Sequence, residues 1–186
     1  MSVKESVGIM SKTKKTALGG LITAFSSILM ISSNLIPLGL YVFPAIAGIV
    51  IYIFSCLAGK AYAWSSYVAV AIVSFILCTD KETVLCFIFF LGYYPIVKAY
   101  IEKIKLKLIS YILKFIMFNV AVGIIYLILF FVFGISADEF EIFGVNVPLL
   151  FLILLNITFV MYDFSLSLFE RNYKQIIVKK ITKIFR

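Results

Sequence analysis

The chain has no histidine, three cysteines, four prolines and a single tryptophan in 186 residues, and each scarcity closes off some chemistry. Without histidine there is no His-based catalytic triad, no imidazole proton shuttle and no His-ligated metal. Cys56, Cys78 and Cys86 all lie in apolar stretches, and none forms a C-x-x-C pair. Cys78 and Cys86 flank one short loop, so a disulfide is one reading, provided their Cα atoms come within about 7 Å. The plainer expectation is three small hydrophobes. Charge is scarce as well. Only 14% of residues are charged and 63% are hydrophobic, against about 25% and roughly 45–50% in a soluble domain. A water-soluble fold could not hide that surface, because even ~150 residues bury only about 70% of what the unfolded chain exposes. Lipid must cover the remainder.

What is present is a series of apolar runs separated by short polar connections. Runs of about 16–36, 40–57, 61–78, 83–97, 115–134 and 148–168 predict an all-α polytopic bundle of six transmembrane helices, forming one domain over 1–186. The basic leader with Lys4, Lys12, Lys14 and Lys15 precedes a stretch too long for a signal core and without a small-residue cleavage site, so the first helix is expected to be retained. Pro44 is expected in the first turn of the second helix. The fourth run is short, and either borrows from the preceding loop or lies where the membrane thins. Between residues 98 and 114, Ile101, Ile104, Leu108 and Ile112 recur at helical spacing among Lys98, Lys103, Lys105 and Lys107. An amphipathic interfacial helix with snorkelling lysines is expected there, and a second at about 170–186.

The net charge of +8 does not point to nucleic acid, because the lysines lie between apolar runs instead of along one basic face. Anionic lipid headgroups suit charge placed beside membrane segments. Assigning alternate connections to alternate sides puts all the basic residues except Lys81 on the side that holds both termini. The other side carries Lys81 with Asp80, Glu82, Asp138, Glu139 and Glu141. Positive-inside bias then places both termini in the cytoplasm. Tyr62, Trp64, Tyr93, Tyr94 and Tyr100 are expected at the cytoplasmic boundary as an aromatic belt.

A few polar or small residues inside the runs are candidates for function. In the first helix Thr16, Gly20 and Ala24 stack at i, i+4 and i+8, with Ala17 nearby, a face that lets helix backbones approach closely. It serves either packing within the bundle or docking of a partner helix. Asp163 lies within the last run, and an intramembrane carboxylate is a functional candidate by default. Either the helix ends earlier and leaves Asp163 at the interface, or Asp163 pairs with a cation at the same depth, for which Lys114 is the candidate; a proton or ion relay is the sharper alternative. Asn119 and Asn156 are the deepest uncharged polar side chains. They either bond across helices or, with Asn34 and Tyr41, line a ligand pocket. Asp80, Lys81 and Glu82 read as a solvated turn. Neither a catalytic residue, a metal site nor a cofactor is expected.

The basic leader feeding Thr16-Ala-Leu-Gly-Gly-Leu-Ile-Thr-Ala24, the six helices and the two internal termini resemble the substrate-binding S components of energy-coupling factor transporters. That resemblance implies a bacterial plasma-membrane subunit whose first helix, through Ala17, Gly20 and Ala24, docks on a transmembrane coupling subunit carried by a pair of ATPases. It also implies that the Pro- and Gly-marked connection from Asn34 to Pro44 helps close over a small solute. The sequence carries no vitamin-binding signature. The stretches Phe90–Lys98 and Asn156–Asp163 look like those of small six-helix membrane proteins of low-GC Gram-positive bacteria. A non-transporting scaffold is the competing expectation, similar in topology to the rod-shape-determining membrane family. A membrane-embedded enzyme comes third, with no nucleophile–base pair or Asp-rich metal motif to support it.

Overall fold

The computed structural model describes residues 11–33, 39–133, 141–142, 145–172, 176 and 180. Six helical segments among them are long and apolar enough to cross a membrane, and the chain is a multi-pass membrane protein. The helices are α1 (Lys12–Ser32), α2 (Gly39–Ala58), α3 (Lys60–Leu77), α4 (Lys81–Cys86), α5 (Tyr94–Ile101), α6 (Lys107–Phe133) and α7 (Val147–Asn172). The fourth crossing, Lys81–Ile101, comprises α4, a π-helical turn at Phe87–Leu91 and α5. Just before α7, β1 (Glu141–Ile142) and β2 (Val145–Asn146) pair antiparallel.

The first three helices form the tightest part of the bundle. Ser11 caps α1 by accepting from the Lys14 N–H at 3.3 Å, which satisfies one of the donors a helix start leaves open. Leu18 and Met30 of α1 then pack with Ala47, Ile51 and Phe54 of α2 and Ala63 and Val70 of α3. Gly59 alone separates α2 from α3 and adopts φ 100°, a left-handed conformation that favours glycine and ends a helix in one residue.

The fourth crossing joins this layer to the last two helices. Asp80 caps α4, its carboxylate accepting from the Glu82 and Thr83 N–H groups at 3.2 and 3.3 Å. About four turns further on, the helix meets a sequence problem. Pro95 has no N–H for the Leu91 carbonyl four residues earlier, and its ring crowds that carbonyl. The backbone answers with the wider π turn, closed by Gly92 N–H to the Phe87 carbonyl at 2.8 Å, and α5 restarts with Pro95 in its first turn. The Leu91 carbonyl is pressed against α2 at Gly48, where a Cβ would stand 2.1 Å from the oxygen. Only glycine leaves room for it.

On its other side the fourth crossing contributes Phe90 and Tyr94 to a second cluster with Phe118, Ala121, Phe159 and Leu166. Phe118 and Phe159 stack at 4.6 Å, and Phe90 meets both edge-on. Beyond this seam α6 and α7 are thinly covered by protein. Only 11% of each of their crossing windows is buried, against 56% for the fourth crossing. Ile116, Val120, Leu127 and Phe131 of α6, and Ile153, Ile157, Val160 and Phe164 of α7, are exposed. In a bilayer such a surface costs little, because lipid tails are as apolar as the side chains they meet.

Several boundaries differ from the sequence expectation. Pro44 is the sixth residue of α2, beyond a first turn of about four residues; the N–H it lacks is one the Leu40 carbonyl goes without. The short fourth run extends in both directions, to Lys81 and Ile101. The expected interfacial helix over 98–114 is divided: residues 98–101 finish α5, 102–106 form a turn, and 107–114 open α6. Tyr94 is fully buried and does not belong to an interfacial belt. The three cysteines are free. The expected interfacial helix at 170–186 lies beyond Asn172 largely outside the described residues, as do Asn34, Asp138 and Glu139.

Candidate functional site

The bend in the fourth crossing aims two side chains into the bundle. Tyr94 opens α5, and Lys98 follows one helical turn later on the same face. α6 brings Lys114 to the same place and α7 brings Asp163. These charged side chains are buried, with Lys98 at 1% exposure, Lys114 at 4% and Asp163 at 8%. Lys98 Nζ donates to Asp163 Oδ1 at 2.7 Å, to the Asp163 backbone carbonyl at 2.6 Å and to Ser167 Oγ at 2.7 Å, which uses all three ammonium donors. Lys114 Nζ lies 3.0 Å from Asp163 Oδ2 and 2.8 Å from Glu102 Oε1, and Glu102 is also 3.4 Å from Lys98. Tyr94 donates to Asp163 Oδ1 at 2.6 Å.

Two ammonium groups and two carboxylates make this cluster neutral. A buried charge is tolerated when it is paired and its remaining hydrogen-bonding capacity is filled, and the arrangement meets both conditions. It ties the end of the fourth crossing to α6 and α7, where apolar packing is sparse. The structure thus brings Asp163 and Lys114 together, as the sequence suggested, and adds Tyr94, Lys98, Glu102 and Ser167. By sequence alone Lys98 is a boundary residue, because a lysine next to an apolar run usually is one. A signal for it was present in the Tyr94–Lys98–Glu102 spacing of four, which puts all three on one helix face. The Tyr162 hydroxyl, beside Asp163 in sequence, is buried with no hydrogen-bond partner among the described residues.

Asn119 and Asn156 meet across α6 and α7. Each Nδ2 donates to the other's Oδ1, at 3.1 and 3.2 Å, and to the carbonyl four residues earlier in its own helix, Phe115 or Leu152. Both N–H donors of each amide are consumed, leaving none for a ligand. Tyr41 is placed elsewhere, at the start of α2, where its hydroxyl donates to Glu82 Oε1 at 2.6 Å. The residues expected to line one pocket are therefore not gathered by these bonds; Asn34 lies outside the described residues. At the same end of the bundle, Lys81 Nζ donates to the Phe75 and Cys78 carbonyls at 2.8 and 2.9 Å, closing the end of α3. Burial pushes the nearby Cys78 thiol above its ordinary pKa, with Asp80 reinforcing and Lys81 opposing.

The small residues of α1 divide between two faces. Ser26 and Ser27 point into the bundle, whereas Ala17, Gly20 and Ala24 are exposed together with Leu21, Phe25 and Ile28. A Cβ at Gly20 would meet nothing within 4 Å, so among the described residues nothing packs against this face at that point. Among the described residues no group of three or more Cys, Asp or Glu side chains gathers to hold a metal ion. Comparison with protein-family models, with curated proteins and with solved structures finds no match.

Proposed function

We propose that this chain is a non-catalytic subunit of a bacterial plasma-membrane complex, with both termini in the cytoplasm, and that it works by docking a partner's transmembrane helix on the outer face of α1. The observation that carries this reading is the exposed Ala17–Gly20–Ala24 face, which the bundle leaves open at Gly20. Small residues matter in lipid because close backbone approach must replace the missing hydrophobic drive. The resemblance to S components supports reading the complex as an uptake transporter for a small solute, with a transmembrane coupling subunit on α1 and a pair of ATPases beneath it. Affinity purification from native membranes tests this directly. Coupling subunit and ATPases are expected to copurify with the wild-type chain and to be lost with Gly20→Leu, which fills the face without touching the bundle. Recovery of ATPases with neither form contradicts the transporter.

One observation favours a second reading, a scaffold that organises other envelope proteins. The deepest polar side chains satisfy one another, Asn119 with Asn156 and Asp163 with Lys98 and Lys114, as in a filled bundle. A scaffold would retain its partners through the same α1 face but copurify with envelope proteins in place of ATPases.

A further inference from the structure

Where α3 begins and α5 ends, two lysines converge on one aromatic ring. Lys60 Nζ sits 3.3 Å from the centroid of the Tyr100 ring, and Lys103 Nζ lies 5.6 Å from the same point. The two ammonium groups are thus no farther apart than the sum of those distances. All three side chains are exposed, and among the described residues neither lysine joins an ion pair, unlike Lys98 and Lys114. The first turn of α3, which no side chain caps, adds the positive end of its dipole.

A track leads from this cationic end into the bilayer. Lys60, Trp64, Val68 and Ile72 recur every four residues on one face of α3, and the last three are exposed. Trp64 stacks on Tyr93 of the fourth crossing at 6.3 Å and meets Tyr67 edge-on at 5.5 Å. Cations, then aromatic rings at the interface, then an apolar strip follow the order of parts in a phospholipid. We propose that this seam between α3 and α5 binds one anionic phospholipid, its phosphate held by Lys60 and Lys103 and an acyl chain lying along Val68 and Ile72. Charge decides the occupant: two unneutralised ammonium groups at headgroup depth select an anionic lipid over a zwitterionic one.

Trp64 is the chain's single tryptophan, so its fluorescence reports occupancy. The purified protein is reconstituted in phosphatidylcholine vesicles containing either dibrominated phosphatidylglycerol or dibrominated phosphatidylcholine as quencher. The anionic lipid is expected to half-quench Trp64 at about thirtyfold lower mole fraction, given roughly 1 kcal/mol for each of the two lysines near the surface. Lys60→Gln with Lys103→Gln should abolish that preference, whereas Lys105→Gln with Lys107→Gln, an equal loss of charge, should keep it. Lys103→Gln alone, in an exposed turn where folding is not at stake, should give an intermediate preference. Equal quenching by both lipids in the wild type, or equal loss in both double variants, overturns the site in favour of a diffuse basic rim.

Discussion

Replacing Asp163 by Asn removes the carboxylate that Lys98 and Lys114 share and leaves both ammonium groups buried with Glu102 as their only anion among the described residues. Breaking a buried pair in this way costs about 3–5 kcal/mol, and unfolding in detergent is expected to show a loss of that size. If the cluster is structural, replacing Lys98 and Lys114 by Met together with Asp163→Leu should restore much of the stability, because no unpaired buried charge remains. A triple variant as unstable as Asp163→Asn would count against that role. At Gly48 the prediction concerns backbone. Alanine there would place its Cβ against the Leu91 carbonyl, and such overpacking costs about 1–3 kcal/mol. Gly20→Ala, which meets open space, should leave stability within about 0.5 kcal/mol. Cys78 is buried and its thiol is held above the ordinary range, so little thiolate is present near neutral pH. A variant with Cys78 as the only cysteine should react slowly with maleimide when folded and much faster in denaturant; fast reaction in the folded form would contradict the burial.

The elements show how far the sequence could be read and where it misled. Six crossings follow from six apolar runs, because the bilayer's thickness dictates helix length whatever the packing inside. Two of the less accurate boundaries share one cause. The sequence pattern ends the fourth run at Val97 and starts the fifth at Phe115, because Lys98 and Lys114 stand at the edges of those apolar stretches. In the structure both are inside, neutralised by Asp163 and Glu102 together, and their helices run on to Ile101 and back to Lys107. For Lys114 the sequence offered Asp163, 49 residues on, as a partner, but nothing in it showed that Lys98 reaches the same carboxylate 65 residues away. The π turn was equally hidden, although Gly92 and Pro95 flank its end. Between α6 and α7, the amide pair should behave as a unit. Asn119→Leu alone strands the Asn156 amide and is expected to destabilise, whereas Asn119→Leu with Asn156→Leu should be close to neutral, with a coupling of about 0.6 kcal/mol. A double-mutant cycle measures it, and additive losses would contradict the pairing.

For the whole molecule, the proposed partner and the proposed orientation go together, because ATPases beneath the bundle would require its basic end to face the cytoplasm. That end gathers Lys12, Lys60, Lys103 and Arg171, while Asp80, Lys81 and Glu82 mark the start of the fourth crossing at the other. An even number of crossings returns the chain to the side on which it began. Side-specific labelling in intact cells tests this most directly, with a single cysteine placed either at Ser2 or at Glu139 in an otherwise cysteine-free chain. A membrane-impermeant maleimide should label the Glu139→Cys protein from outside, and the Ser2→Cys protein only after the membrane is opened. Labelling of both from the same side would contradict the six-crossing arrangement and the complex built upon it.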